Sequence, residues 1–356
     1  MYFFSHVSFS FFRGFINTNV ELPQDMIFVY GKNGSGKTNF LEALNVLCLT
    51  KSFKPVTDKE ITHFDSDFYF LKANVQNHTF HKTSCNYLKN KGKKVFHDDE
   101  PIQKFSEHIG IFPCVSLIPE DSEIIKDSIK RKKWFNLLFS QWDSDYLIAL
   151  QKYEHALNQR NILLKLEKPF KELEPWTYQI CVNGKILVEK RTLYFDKLLK
   201  IYSQIHKELG NWEVCNFFYC HNYPYQDINN DLNFYEKQLK TDFNYSYTTT
   251  GAHKDDVVFQ INSVNLKQFG SQGQQKTFII ALKLAEYEFL SQNQKVPILL
   301  LDDVFEKLDT HRIQHIANYL NKNKKSQIFI SHPSKLNLDF QPYSMEVRNH
   351  QIFVEV

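Results

Sequence analysis

Met26-Ile27-Phe28-Val29-Tyr30 runs without a break into Gly31-Lys32-Asn33-Gly34-Ser35-Gly36-Lys37-Thr38, and this stretch decides the fold. The first five residues read as a buried strand. The next eight fit G-x-x-x-x-G-K-[ST], the pattern of a loop that wraps phosphate. Asn39 to Thr50 then carries Phe40, Leu41, Leu44 and Leu47 at helical spacing, so the loop joins a strand to a helix. In such a loop the glycines let backbone N–H groups turn inward on phosphate oxygens, and the helix N-terminus adds partial positive charge. Gly31, Lys32, Asn33, Gly34, Ser35, Gly36, Lys37, Thr38 and Asn39 are therefore the candidate nucleotide contacts. Lys37 is expected to reach the β- and γ-phosphates and Thr38 to ligate Mg²⁺, which makes ATP and Mg²⁺ the expected cofactors.

Downstream, Ile298-Leu299-Leu300-Leu301 is a short apolar strand ending in Asp302-Asp303. In open α/β folds such a strand delivers its terminal carboxylates to the edge where ligands bind. Asp302 is expected to hold Mg²⁺ and Asp303 to polarise an attacking water. Between loop and carboxylates stands Ser271-Gln272-Gly273-Gln274-Gln275, which opens a long helix running to about Ser291 with Ser271 as its N-cap. Strand-rich segments occupy both ends of the chain. A mainly helical block with Lys168-Pro169 and Glu174-Pro175 as punctuation lies between them. Asn262-Ser263 and Asn349-His350 read as turns, the second in a closing hairpin over Met345 to Val356, and Asn77-His78 as the turn of an earlier hairpin.

Phosphate loop, Ser271–Gln275, apolar strand and carboxylate pair follow one another in the order of the ABC-type ATPases, whose signature resembles Leu-Ser-Gly-Gly-Gln. The resemblance implies that Ser271, Gln272, Gly273, Gln274 and Gln275 face the γ-phosphate held by a second copy. It implies that Leu308-Asp309 forms the D-loop, which adds Asp309 to that set, and that His332 is a switch histidine, catalytic with Lys37, Asp302 and Asp303. The chain resembles, more narrowly, the RecF family of bacterial DNA-repair proteins. Phe12-Arg13 is similar to the family's Phe-Arg-Asn-Tyr, which adds Arg13 to the nucleotide contacts. Pro119-Glu120-Asp121, Tyr153 with Gln159-Arg160-Asn161, and Gly251-Ala252-His253-Lys254-Asp255-Asp256 each resemble family text. Lys132 and Lys254 stand where the family tends to read Arg, Ala252 where it reads Pro and Asn136 where it reads Asp.

The implied fold is α/β: an ABC-type ATPase head of the phosphate-loop NTPase class, with a mixed-sheet core lobe, a mainly helical second lobe and no coiled coil. The core lobe is expected from residues 1–118 and 248–356 and the helical lobe from 119–247. The family implies an ATP-dependent homodimer that binds double-stranded and gapped or single-stranded DNA. Its implied role is recombinational repair at single-strand gaps, with RecR and RecO as partners, helping to load RecA. Asp303 stands where many ABC-type ATPases have Glu, so slow hydrolysis is expected. An ABC-transporter subunit would carry a stricter signature and a shorter core. A coiled-coil chromosome ATPase would place heptads between the halves. A non-hydrolysing scaffold would not need the carboxylate pair.

The 356 residues carry a net charge of only +3, so any nucleic-acid contact must come from local patches. Candidates are Lys89, Lys91, Lys93 and Lys94; Lys130, Arg131, Lys132 and Lys133; and Lys322, Lys324 and Lys325. Arg160 either joins them or makes an ion pair inside its lobe. Nothing in these clusters reads base sequence. No run approaches ~18 uninterrupted apolar residues, so no membrane association is expected. Six scattered cysteines without a C-x-x-C pair suit free thiols in a reducing cytoplasm.

Overall fold

The computed structural model describes residues 3–76, 81–210, 213–292, 296–306, 308, 310–336 and 338–355. The chain divides into two compact units: Met1–Asp121 with Glu208–Gly210 and Ile279–Val356, and Ser122–Lys207 with Asn211–Phe278. The first boundary falls after Asp121. The second falls inside a helix, after Phe278, and not at Thr248.

The first unit opens with β1 (Phe3–Phe12), β2 (Phe15–Glu21), β3 (Met26–Tyr30), α1 (Lys37–Leu49) and α2 (Asp58–Ile61). It continues with β4 (Phe68–Gln76), β5 (Lys82–Leu88), β6 (Gly92–His97), β7 (Glu100–Pro101) and β8 (Cys114–Leu117). Six strands form an antiparallel sheet in the order β2-β1-β4-β5-β6-β7. Phe9 of β1 and Phe40 of α1 meet with ring centroids 5.7 Å apart, and Phe40 also meets Phe329 at 6.1 Å. Every residue from Phe40 to Leu49 is buried, so α1 is covered on every side, as befits a helix in the middle of a core. The lysine-rich segment after Leu88 is a tight turn at Asn90-Lys91 that leads straight into β6.

The second unit comprises α3 (Glu123–Lys126), α4 (Ser128–Trp142), α5 (Ser144–Lys165), α6 (Phe170–Glu208), β9 (Cys215–Cys220), α7 (Ile228–Tyr245), β10 (Asp256–Ile261), β11 (Val264–Asn265) and α8 (Leu266–Phe269). Asp127, Asp143 and Asp227 cap α4, α5 and α7 by accepting from the first free backbone N–H groups. Pro175 does not end α6, which continues through it. β9, β10 and β11 form a three-stranded antiparallel sheet. After Asn265 the chain turns helical, because the Asn265 side chain accepts from Lys267 N–H and caps a short turn. Trp134, Phe135, Phe139, Phe195, Phe217 and Phe259 form the aromatic core of this unit.

α9 (Gln272–Ser291) crosses from the second unit to the first, which is completed by β12 (Ile298–Leu301), α10 (Thr310–Lys322), β13 (Ile328–His332), β14 (Tyr343–Arg348) and β15 (Gln351–Glu355). The second sheet has the order β15-β14-β3-β13-β12-β8, parallel except for the β15 edge. β3 and β12 thus end at the same edge, with β13 between them. Among the described residues no helix is long and apolar enough to cross a membrane. All six cysteines are free, and Cys220 is the exposed one.

His108 and His253 are held neutral. His108 Nε2–H donates to the Leu47 carbonyl at 2.8 Å, which leaves Nδ1 to accept from His97. His253 Nε2–H donates to Thr248 O at 2.9 Å and its Nδ1 accepts from Tyr153. Burial pushes each down to about 4. The unfolded chain takes up these protons near pH ~6.5, whereas the fold refuses them. Stability is therefore complete above that pH and falls as pH drops from ~6.5 toward 4. Thermal melts between pH 6.5 and 5 are expected to show a falling midpoint. A flat midpoint would contradict the assignment.

Candidate nucleotide site

The phosphate loop rises from β3 and ends on α1, with Gly31, Gly34 and Gly36 at φ +151°, +79° and +114°. This left-handed backbone is what a cradle of inward N–H groups requires and what side chains resist. Lys37 is 4% exposed, and its Nζ donates to Gly31 O at 2.8 Å and Lys32 O at 3.2 Å. The Ser35 hydroxyl is buried without a hydrogen-bond partner among the described residues. A cleft of about 260 Å³ is lined by Asn33, Gly34, Gly36, Lys37, Thr38, Asn39, Asp303, Glu306 and Pro333.

Parallel pairing brings Asp302 beneath the loop. Thr38 Oγ1 lies 3.1 and 2.9 Å from the two Asp302 carboxylate oxygens and donates to this carboxylate. Burial raises the Asp302 pKa, while hydrogen bonds from Ser331 and Thr38 oppose the rise. Asp303 has φ +48° and a buried Oδ1 without a hydrogen-bond partner among the described residues. Ser331 ties the pair together: its hydroxyl accepts from Asp303 N–H at 2.9 Å and donates to Asp302 Oδ1 at 2.7 Å. A carboxylate and a hydroxyl that touch beside a phosphate cradle are hard oxygen donors of the kind Mg²⁺ takes, so the residues fit that ion.

Sequence reasoning missed Ser331, Glu306 and His350. Ser331 was legible as the polar break ending Ile328-Phe329-Ile330. Glu306 lies three residues past Asp303, and its N–H closes a turn onto Asp303 O at 3.1 Å. His350 N–H donates to Ser35 O at 2.9 Å, and its ring fills space that a Cβ on Gly14 or Gly36 would need. A Cβ on Gly31 would lie 2.2 Å from Val347 O. The closing hairpin therefore braces the loop from behind.

Arg13 does not line the cleft. Its Nε and Nη2 grip both oxygens of Glu42 at 2.8 Å each, and Glu42 is buried on α1. It steadies the helix that follows the loop. His332 ends β13, where its Nδ1–H donates to Ser334 O at 2.7 Å, next to the cleft residue Pro333. In the second unit Ser271, Gln272 and Gly273 are exposed. Ser271 and Gln274 cap each other reciprocally, through Ser271 N–H to Gln274 Oε1 at 2.8 Å and Gln274 N–H to Ser271 Oγ at 3.2 Å. Gln275 Nε2 donates to Gly270 O at 3.0 Å. Asp309, and the Asn77-His78 turn, lie outside the described residues.

Three of the basic residues offered as DNA contacts are spent inside the fold. Arg160 is 0% exposed, with Nη1 donating to Asp242 at 2.7 Å. Arg131 is buried and forks onto both oxygens of Asp256 at 2.6 and 2.9 Å. Lys93 points inward to Asp58 at 2.8 Å and to Thr50 O at 2.6 Å. Lys89 pairs with Asp67 at the surface, and Lys91, Lys94 and Lys133 are exposed.

A phosphate loop on one parallel strand, facing a carboxylate pair on another, with an exposed capped signature on a second unit, defines an ABC-type nucleotide-binding head. No protein-family model matches the chain. It is 35% identical over 357 aligned positions to the DNA replication and repair protein RecF of Cytophaga hutchinsonii, covering 95% of this chain and 91% of that one. It is 37% identical to the protein of the same name from Flavobacterium johnsoniae, covering 86% and 87%. The solved structure of the recombination mediator protein RecF with ATP, from the RecFOR pathway, superposes with a TM-score of 0.89 at 28% identity over 100% of this chain and 98% of that one. The Smc head domain of Pyrococcus furiosus shares the fold, at a TM-score of 0.57 and 13% identity. The chain belongs to the RecF family of DNA replication and repair proteins.

Proposed function

We propose that this chain binds ATP with Mg²⁺ in the phosphate-loop cleft and dimerises through that nucleotide. The dimer holds DNA at single-strand gaps during recombinational repair, with slow hydrolysis as its timer. The observation that carries this reading is the seating of Thr38 on Asp302 beneath the loop, with the orphaned oxygens of Asp303 and Ser35 close by. When bound, Mg²⁺ offsets charge on the β- and γ-phosphates. Thr38 and Asp302 would hold it. Lys37 holds the triphosphate, and Asp303 orients and polarises water.

The second half of the site comes from another copy. The exposed helix start at Ser271–Gly273, already capped and ordered, supports a role facing that copy's γ-phosphate. Turnover is slow because Asp303 is one methylene shorter than Glu, and misplacement near 1 Å costs ~10²-fold. RecR and RecO, which the family resemblance implies, are the partners, loading of RecA is the outcome, and the cytoplasm is the setting.

Asp303→Asn keeps shape but removes the base. The variant is expected to bind ATP normally, hydrolyse it ~10²-fold or more slowly, and remain dimeric on gapped DNA after the unaltered chain has dissociated. Sizing with ATP, beside phosphate release, checks both. A variant that turns over at the unaltered rate, or an unaltered chain that stays monomeric with ATP and DNA, would refute the reading.

A further inference from the structure

We propose that Lys132 and Lys254 form a docking site for a backbone phosphate of duplex DNA, on the surface made by α4 and the Gly251–Asp256 turn. This rests on the DNA-binding reading above and gives it a place. Around the turn, Arg131, Lys132, Arg191 and Lys254 oppose two carboxylates, Asp255 and Asp256. Both carboxylates are taken. Asp256 is forked by Arg131, and Asp255 pairs with Arg191 at 2.7 Å while also accepting from Tyr219. His253 is neutral. Two positive charges are left over, and they are the two lysines.

Among the described residues neither lysine is ion-paired with a carboxylate. Lys132 is half-buried and has no hydrogen bond or ion pair among the described residues. Burial lowers its pKa and Lys254 adds to the effect, while Asp256 and Asp255 oppose it. Lys254 Nζ stands 4.7 Å from the centre of the Tyr247 ring, and Tyr247 packs on Tyr245 at 5.8 Å. Both tyrosines are exposed, at 40% and 60%. A partly desolvated ammonium whose neighbouring carboxylates are already paired with arginines is costly unless a further anion completes the site. Two such groups beside exposed aromatic faces match a sugar-phosphate backbone.

The anion is not the nucleotide facing Ser271. β10 carries the chain away from this turn for six residues, about 20 Å at ~3.3 Å per residue, before the segment leading to the signature begins. Lysines are point charges without a fork, so the site reads backbone and not base edges.

The test uses the full chain with ATP and Mg²⁺, binding labelled duplex DNA by anisotropy over a salt series. Lys132→Gln/Lys254→Gln is expected to lose roughly tenfold or more in affinity near 0.1 M salt. Its slope of log K against log salt should be shallower by about 0.9, the value for one phosphate. Lys132→Arg/Lys254→Arg should retain both, with thermal midpoints unchanged in each variant. An unchanged slope in the glutamine variant overturns this site while leaving DNA binding intact. Loss of ATP-dependent dimerisation with DNA affinity intact also overturns it. If the unaltered chain binds no duplex DNA with ATP, the broader reading has failed first.

Discussion

Lys37→Ala is expected to weaken ATP binding by ~10²–10⁴-fold and to abolish ATP-dependent dimerisation. The side chain is nearly sealed from solvent, and its ammonium is held by the carbonyls of Gly31 and Lys32, the first residues of the loop. A triphosphate in the cleft offers that ammonium stronger acceptors than two neutral carbonyls. Hydrogen bonds to charged groups contribute about 1.5–3 kcal/mol each, and two of them account for the range. The same change strips the donor from two carbonyls, so the empty loop also loosens. Calorimetric titration with ATP and sizing by light scattering check the two halves. A variant that binds ATP within threefold of the unaltered chain would show that this cleft is not the nucleotide site.

The second large effect is on stability. Arg160→Ala is expected to cost the second unit about 3–5 kcal/mol, the range for breaking a buried ion pair. Arg160 donates to Asp242 and Thr248 at 2.7 Å and to Thr177 at 3.0 Å, and stacks 5.3 Å from the Tyr235 ring. Asp242 also accepts from Thr249 N–H and Oγ1–H, so its charge would stay buried with the cation gone. Urea titration of the full chain measures the loss through the second unit's aromatic signal. A cost below ~1 kcal/mol would mean that the network is dispensable. Arg160→Lys keeps the charge but not the fork, so a partial loss is expected.

The nucleotide site was legible because its signals are local. A strand, eight loop residues and a helix are contiguous, and Asp302-Asp303 ends a run too apolar to be anything but central strand. The fate of the cations was harder to read, since it depends on partners far away in the chain. The clues were periodic. Arg160 falls on the stripe of Tyr146, Ala149, Tyr153, Ala156 and Leu164, the buried face of α5. Arg131 lies one turn before Trp134 and Phe135 on α4. Lys93 alternates with Val95 and His97, which sends it inward while Lys94 points out. Phe15–Glu21 went unread as a strand because Asn17, Thr18 and Asn19 look like turn chemistry. Pairing with β1 overrides it.

The brace behind the phosphate loop has a consequence for synthesis. β3 is flanked by β13 and β14, both made some 300 residues later, and the loop itself leans on Val347 and His350. A ribosome that has delivered residues 1–340 has made every phosphate-gripping residue but not the wall that holds them in place. Nascent or prematurely ended chains therefore carry the loop without the rigidity to grip ATP. The hairpin of β14 and β15 is therefore what arms the loop.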